Sequence, residues 1–82
     1  MPNVLPAFKA RRVVIFTNDH LPPHVHVIGK EEHARFELHC DLGYLKVMSN
    51  IGFRLGQLKQ IERYLVRHLA HLCAEWGRIH GQ

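Results

Sequence analysis

The hydrophobic pattern of this chain changes period once, and the change divides it into strands followed by a helix. From Leu58 onward the apolar residues Leu58, Ile61, Leu65, Leu69, Leu72, Trp76 and Ile79 are spaced 3, 4, 4, 3, 4 and 3 apart. Side chains at such intervals share one stripe of an α-helix, which completes a turn every 3.6 residues. No Gly or Pro falls between Gly56 and Gly77, and Gly81 is a natural stop. The spacing therefore predicts one helix from Leu55 to about Ile79. At 1.5 Å per residue it would run ~37 Å, with room for a kink near His68.

Ahead of SNIGF the period is two. RRVVIF, β-branched and aromatic, predicts a first strand over residues 11–17. Pro22 and Pro23 cannot donate ladder hydrogen bonds and belong to a connection. A second strand follows from His24 to Ile28, GKEE makes a polar turn, HARFELH alternates as a third strand, and YLKVM reads as a fourth. The opening MPNVLPAFKA, with two prolines, is expected to run extended over the surface before the first strand. The expected fold is α+β: one domain over residues 1–82, a three- to four-stranded, mainly antiparallel meander packed on a long C-terminal helix. Its core should join Val25, Val27, Phe36, Leu38, Leu45 and Val47 to Leu58, Ile61, Leu65, Leu69, Leu72 and Trp76.

Eighty-two residues are few for a self-sufficient core, but 46% hydrophobic against 22% charged residues favours folding over disorder. No apolar run reaches the length of a membrane span, and the first residues lack a signal-peptide core, so the expected location is the cytoplasm. Cys40 and Cys73 form no C-x-x-C pair. They are expected to be free buried thiols, although a bridge between them stays open. A formal charge of +4, with eight histidines besides, suits an anionic partner, either nucleic acid or an acidic protein.

The stretch NDHLPPHVHVIG concentrates the chemistry. Alternation puts Val25 and Val27 on one face of their strand and His24 and His26 on the other. Because the valines must share the core face with Phe36 and Leu38, a tight turn pairs residues whose numbers sum to 61. His26 then lies opposite Arg35 and His24 opposite Glu37, with Asp19 and His20 in the connection above. Three readings follow. His24 and His26 can chelate a transition metal such as zinc, with His20 or Glu37 as third ligand; the positive charge of Arg35 beside the ion and the lack of a cysteine ligand speak against it, and no metal is expected. His24, His26, Arg35 and Glu37 can form a metal-independent acid–base site for cleaving RNA, one group taking the 2′-hydroxyl proton, another protonating the leaving oxygen and the arginine stabilising the developing charge. Or the face is structural or protein-binding, a role that suffices for His33, His68 and His80. On the helix, Lys59, Arg63, Arg67, His71 and Arg78 lie opposite the leucine stripe, either as a solvated face or as a docking stripe for phosphates or an acidic partner.

The block Asp19–Val27, together with ARFEL, the Gly52–Phe53 pair, QLKQIERYL and Trp76, resembles a prokaryotic family known as domain-of-unknown-function family 4160. The resemblance covers nearly the whole chain and touches Asp19, His20, Pro22, Pro23, His24, His26, Ala34, Phe36, Gly52, Phe53, Leu58, Ile61 and Trp76. Members usually carry Ser or Thr after the Gly-Phe pair and Glu before the helix leucine; here Arg54 and Gln57 stand in those places. The resemblance implies a bacterial or archaeal protein in a toxin–antitoxin-like gene arrangement, with a cognate small protein as partner and RNA as target. It assigns no catalytic residues.

Overall fold

The structure is a computed structural model that describes residues 3–81, and of residues 3 and 6–8 the backbone alone. Five antiparallel strands lie in sequence order: β1 (Asn3–Phe8), β2 (Arg11–Val14), β3 (His24–Ile28), β4 (His33–His39) and β5 (Tyr44–Ile51). Two helices follow, α1 (Leu55–Arg67) and α2 (Leu69–His80). The α+β meander is as expected, with more strands and a divided helix.

The extra strand is β1. The segment expected to run over the surface pairs with β2 through a tight hairpin in which Lys9 and Ala10 both take positive φ, 50° and 64°. Such turns usually carry Gly or Asn, and neither is present. Met1 and Pro2 lie outside the described residues. The β3–β4 register is the one required by parity, pairing His24 with Glu37, Val25 with Phe36 and His26 with Arg35. On the other side of β4, Phe36 pairs with Val47 but Arg35 with Ser49, which leaves Met48 as an extra, bulged residue.

The helix breaks at His68 (φ −113°, ψ 18°), whose N–H donates to Leu65 O at 3.0 Å. An unbroken helix of ~37 Å would exceed the longest dimension of the molecule, 33 Å. The break lets α1 pack on β5 while α2 packs on β4, and keeps both halves of the apolar stripe on the sheet. At the start of α1 the N–H of Arg54 donates to Gln57 Oε1 at 2.8 Å. That is the returning half of a capping box whose forward half needs a hydroxyl or carboxylate. Gly81 ends α2 in the left-handed region (φ 73°), its N–H donating to Gly77 O.

The core gathers Val13, Ile15, Val25, Val27, Ala34, Phe36, Leu38, Leu45, Ile61, Leu65, Leu69, Leu72 and Trp76, with Leu58 packed at its margin. Val47 does not join it: on the outermost strand it stays 38% exposed. Cys40, in the β4–β5 turn, and Cys73, in α2, are not free thiols but a disulfide with Cα atoms 5.9 Å apart. The docking of α2 over the end of β4 brings them within bonding reach. Among the described residues no helix is long and apolar enough to cross a membrane.

Candidate metal centre

The connection from β2 to β3 folds over the sheet face opposite the valines. Val14 and His26 are cross-strand partners there, and both are buried. Phe16 closes on His26 edge to face, ring centroids 4.7 Å apart. Asp19 is fixed by two backbone bonds to the same residue: the Phe16 N–H donates to Asp19 Oδ2 at 3.0 Å, and the Asp19 N–H donates to Phe16 O at 3.1 Å. Its other oxygen, Oδ1, is thereby aimed at the imidazoles. His26 Nε2 lies 3.2 Å and His24 Nε2 3.5 Å from it. One donor atom from each of Asp19, His24 and His26 lies within 4.8 Å of the other two.

The remaining ring nitrogens have partners of their own. His24 Nδ1–H donates to the Pro22 carbonyl at 2.8 Å, and His26 Nδ1 lies 2.9 Å from His33 Nε2. Packing holds the rings further, since the His24 ring sits 5.1 Å from that of His26 and 5.5 Å from the indole of Trp76. The far end of α2 thus reaches the start of β3. Burial pushes the His26 imidazole below its ordinary value, against the pull of the Asp19 carboxylate toward the charged form.

The contact between His24 and Asp19 holds a conflict. A neutral imidazole carries one N–H, and the His24 N–H is committed to Pro22. His24 Nε2 therefore presents a lone pair to the Asp19 carboxylate 3.5 Å away, one acceptor facing another. A cation between them, a proton or a metal ion, removes the conflict.

Beside this cluster opens a pocket of about 250 Å³ lined by Asn18, Asp19, His20, Leu21, Pro22, His24, Arg35 and Met48. His20 is exposed on its rim and not within the ligand cluster, where Asp19 takes the place expected of it. Arg35 is exposed too, its Nε donating to Ser49 Oγ at 3.1 Å. Glu37, although opposite His24 in register, turns away: its Oε1 lies 3.3 Å from His39 Nε2, and it does not line the pocket. The expected quartet of His24, His26, Arg35 and Glu37 therefore does not converge. His33, read as structural, is a partner of His26; the diagonal cross-strand position it occupies was the available signal.

The helix face divides as well. Arg78 is held by Glu75 through two bonds of 3.1 and 2.6 Å, which lower the Glu75 carboxyl from its usual range and raise the guanidinium. His71 Nε2–H donates to the Val4 carbonyl at 2.9 Å, tying α2 to β1. Lys59, Arg63 and Arg67 remain exposed on α1. Arg63 and Arg67 line a second groove, about 230 Å³, with Lys9, Gln60 and Tyr64. No curated protein and no solved structure matches this chain. A family model described as a domain of unknown function, DUF4160, matches residues 11–77, and on that span the chain belongs to this family.

Proposed function

We propose that the protein is a metalloprotein that holds one divalent first-row transition ion, zinc being the reference case, on Asp19, His24 and His26. The observation that carries this reading is the opposed pair of acceptors, His24 Nε2 and Asp19 Oδ1, beside a second imidazole nitrogen aimed at the same oxygen. Donor separations of 3.2 and 3.5 Å are close to those of ligands ~2.0–2.2 Å from a tetrahedral zinc ion. Metal-bound histidines characteristically donate their other N–H to a fixed acceptor, and Pro22 O and His33 Nε2 stand in those positions. Three protein ligands leave coordination open toward the pocket, where a bound water would gain acidity and an anionic substrate oxygen would be polarised. Arg35, on the pocket wall, suits the holding of such an anion. The Asp19 carboxylate lowers, without cancelling, the positive charge that a bound dication would present to Arg35.

Calorimetric titration of chelator-treated protein with zinc checks this. One equivalent should bind, and at 100 times the dissociation constant the folded state should gain ~2.7 kcal/mol. His24→Ala and Asp19→Ala should each abolish the heat. Absence of heat and of any melting shift in the parent protein would remove the metal reading.

A second reading, a toxin–antitoxin-like component working through a cognate protein and on RNA, is favoured by a different observation: Lys9, Arg63 and Arg67 line one groove. It is compatible with the first, since the two sites share no residue.

A further inference from the structure

The charges that line the pocket beside Asp19 and His24 select among anions. Among the described residues lining it, Asp19 is the one carboxylate and Arg35 the one permanent cation. The Arg35 Nε–H is committed to Ser49 Oγ at 3.1 Å, which steadies the guanidinium and leaves its two terminal nitrogens for a ligand. Arg35 enters no ion pair among the described residues. Glu37, two positions along the same face of β4, is taken by His39 and stands opposite Lys46 in register. A divalent ion on Asp19, His24 and His26, together with Arg35 and the Asp19 carboxylate, gives the pocket a net charge of two positive. A carboxylate or a phosphodiester, each with a single negative charge, leaves half of that uncompensated. A phosphate monoester carries about −1.5 to −2 charges at neutral pH and balances it.

We propose that this pocket binds a small phosphate monoester, with one phosphate oxygen on the metal ion, others on the Arg35 fork, and the esterifying group against Leu21 and Met48. Such a ligand rests on the metal reading above and specifies what the open coordination faces. A guanidinium edge matches phosphate oxygens two at a time. Leu21 and Met48 are exposed apolar side chains on the lining, and Met48 is the extra residue of the β5 bulge. Bulges commonly re-aim a side chain beside a site. Apolar surface next to the charged end suits an organic ester better than inorganic phosphate. At about 250 Å³ the pocket falls below the ~300–1,000 Å³ of sites for drug-sized ligands, so the ester is small.

The test is calorimetric titration with phenyl phosphate at pH 8 of protein loaded with one equivalent of zinc and freed of excess. Benzoate and methyl phenyl phosphate, both monoanions, control for charge, and inorganic phosphate controls for the apolar group. Phenyl phosphate should bind at least tenfold more tightly than either monoanion and several-fold more tightly than inorganic phosphate. Zinc-free protein should bind it at least tenfold more weakly. Arg35→Gln should cost at least tenfold in phenyl phosphate affinity while leaving zinc affinity undiminished and circular dichroism unchanged. Leu21→Ser should shrink the advantage of phenyl phosphate over inorganic phosphate. Equal binding of the monoanions, full affinity in Arg35→Gln, or no phenyl phosphate binding by protein that does hold zinc would overturn the proposal alone. The monoanion comparison uses the parent protein and stands even where the variant fails to fold. Protein that takes up no zinc loses the metal reading and this ligand together, so the zinc titration tells the two failures apart. A phosphoserine peptide binding more tightly than phenyl phosphate would overturn the assignment to a small ester.

Discussion

His26 carries opposing demands within one side chain, and they set the behaviour of the site. Without metal, its Nε2–H donates to Asp19, so its Nδ1 accepts from His33 Nε2–H. With a metal on Nε2 the proton must move to Nδ1, and His33 turns from donor into acceptor. His33→Ala should therefore leave a metal site in place but weaken it 10- to 100-fold, measured by competition against a chelator of known affinity; unchanged affinity would reduce His33 to a neighbour. The same ring makes the metal-free protein acid-sensitive. Because burial depresses its folded-state affinity for protons, the unfolded chain takes up a proton first as pH falls through the unperturbed value of ~6.5. The contribution is complete above that pH and is lost below it, at no more than ~1.4 kcal/mol per pH unit, until the folded state protonates as well. Urea midpoints between pH 8 and 5 should fall on acidification by more in the parent than in His26→Gln. A parent that gained stability on acidification relative to that variant would contradict the assignment.

Elements whose signals are local were legible in the sequence, and those that depend on the assembled molecule were not. The β3–β4 register followed from parity together with a tight turn through GKEE, since a slip of one residue would turn Val25 and Val27 away from Phe36 and Leu38. The β1–β2 hairpin was missed because Lys9 and Ala10 adopt positive φ without the glycine that usually announces it. The hydrophobic spacing leaves room for the division at His68 without marking it, and an unbroken helix of ~37 Å would outrun the 33 Å length of the molecule. The candidate site was half legible. His24 and His26 declared themselves by the H-x-H alternation, but the place of Asp19 depends on how the loop after Phe16 closes. Helix α1 starts with a cap of one hand only, because Arg54 holds the extended N-cap conformation (φ −77°, ψ 159°) without an acceptor side chain. Arg54→Ser would supply the hydroxyl while keeping the Gln57 bond, and should raise stability by ~0.5–2 kcal/mol. Thermal unfolding checks it; no gain would mean that the arginine side chain contributes as much through its surface contacts.

At the scale of the molecule, the one covalent cross-link ties the sheet to the second helix. Cys40 and Cys73 are 33 residues apart, and nothing local in the sequence pairs them; only the docking of α2 does. Closing a loop of that length restricts the unfolded chain by ~3–4 kcal/mol on the chain-entropy account. A domain this small has only ~5–15 kcal/mol of net stability to lose. Replacing both cysteines by serine should lower the melting temperature by ~10–30 °C, at ~4–8 °C per kcal/mol for a chain of this size. The loss should also reach the candidate metal centre. Trp76, three residues beyond Cys73, packs on the ring of His24, so freeing α2 loosens one wall of that imidazole. Leu65→Ala gives the comparison, since it removes a fully buried core side chain on α1 at a similar cost of ~2–5 kcal/mol and leaves the α2 anchor intact. Measured at a temperature where both variants are folded, zinc affinity should fall further in the serine variant than in Leu65→Ala. Equal affinities would mean that the disulfide stabilises the fold without positioning His24.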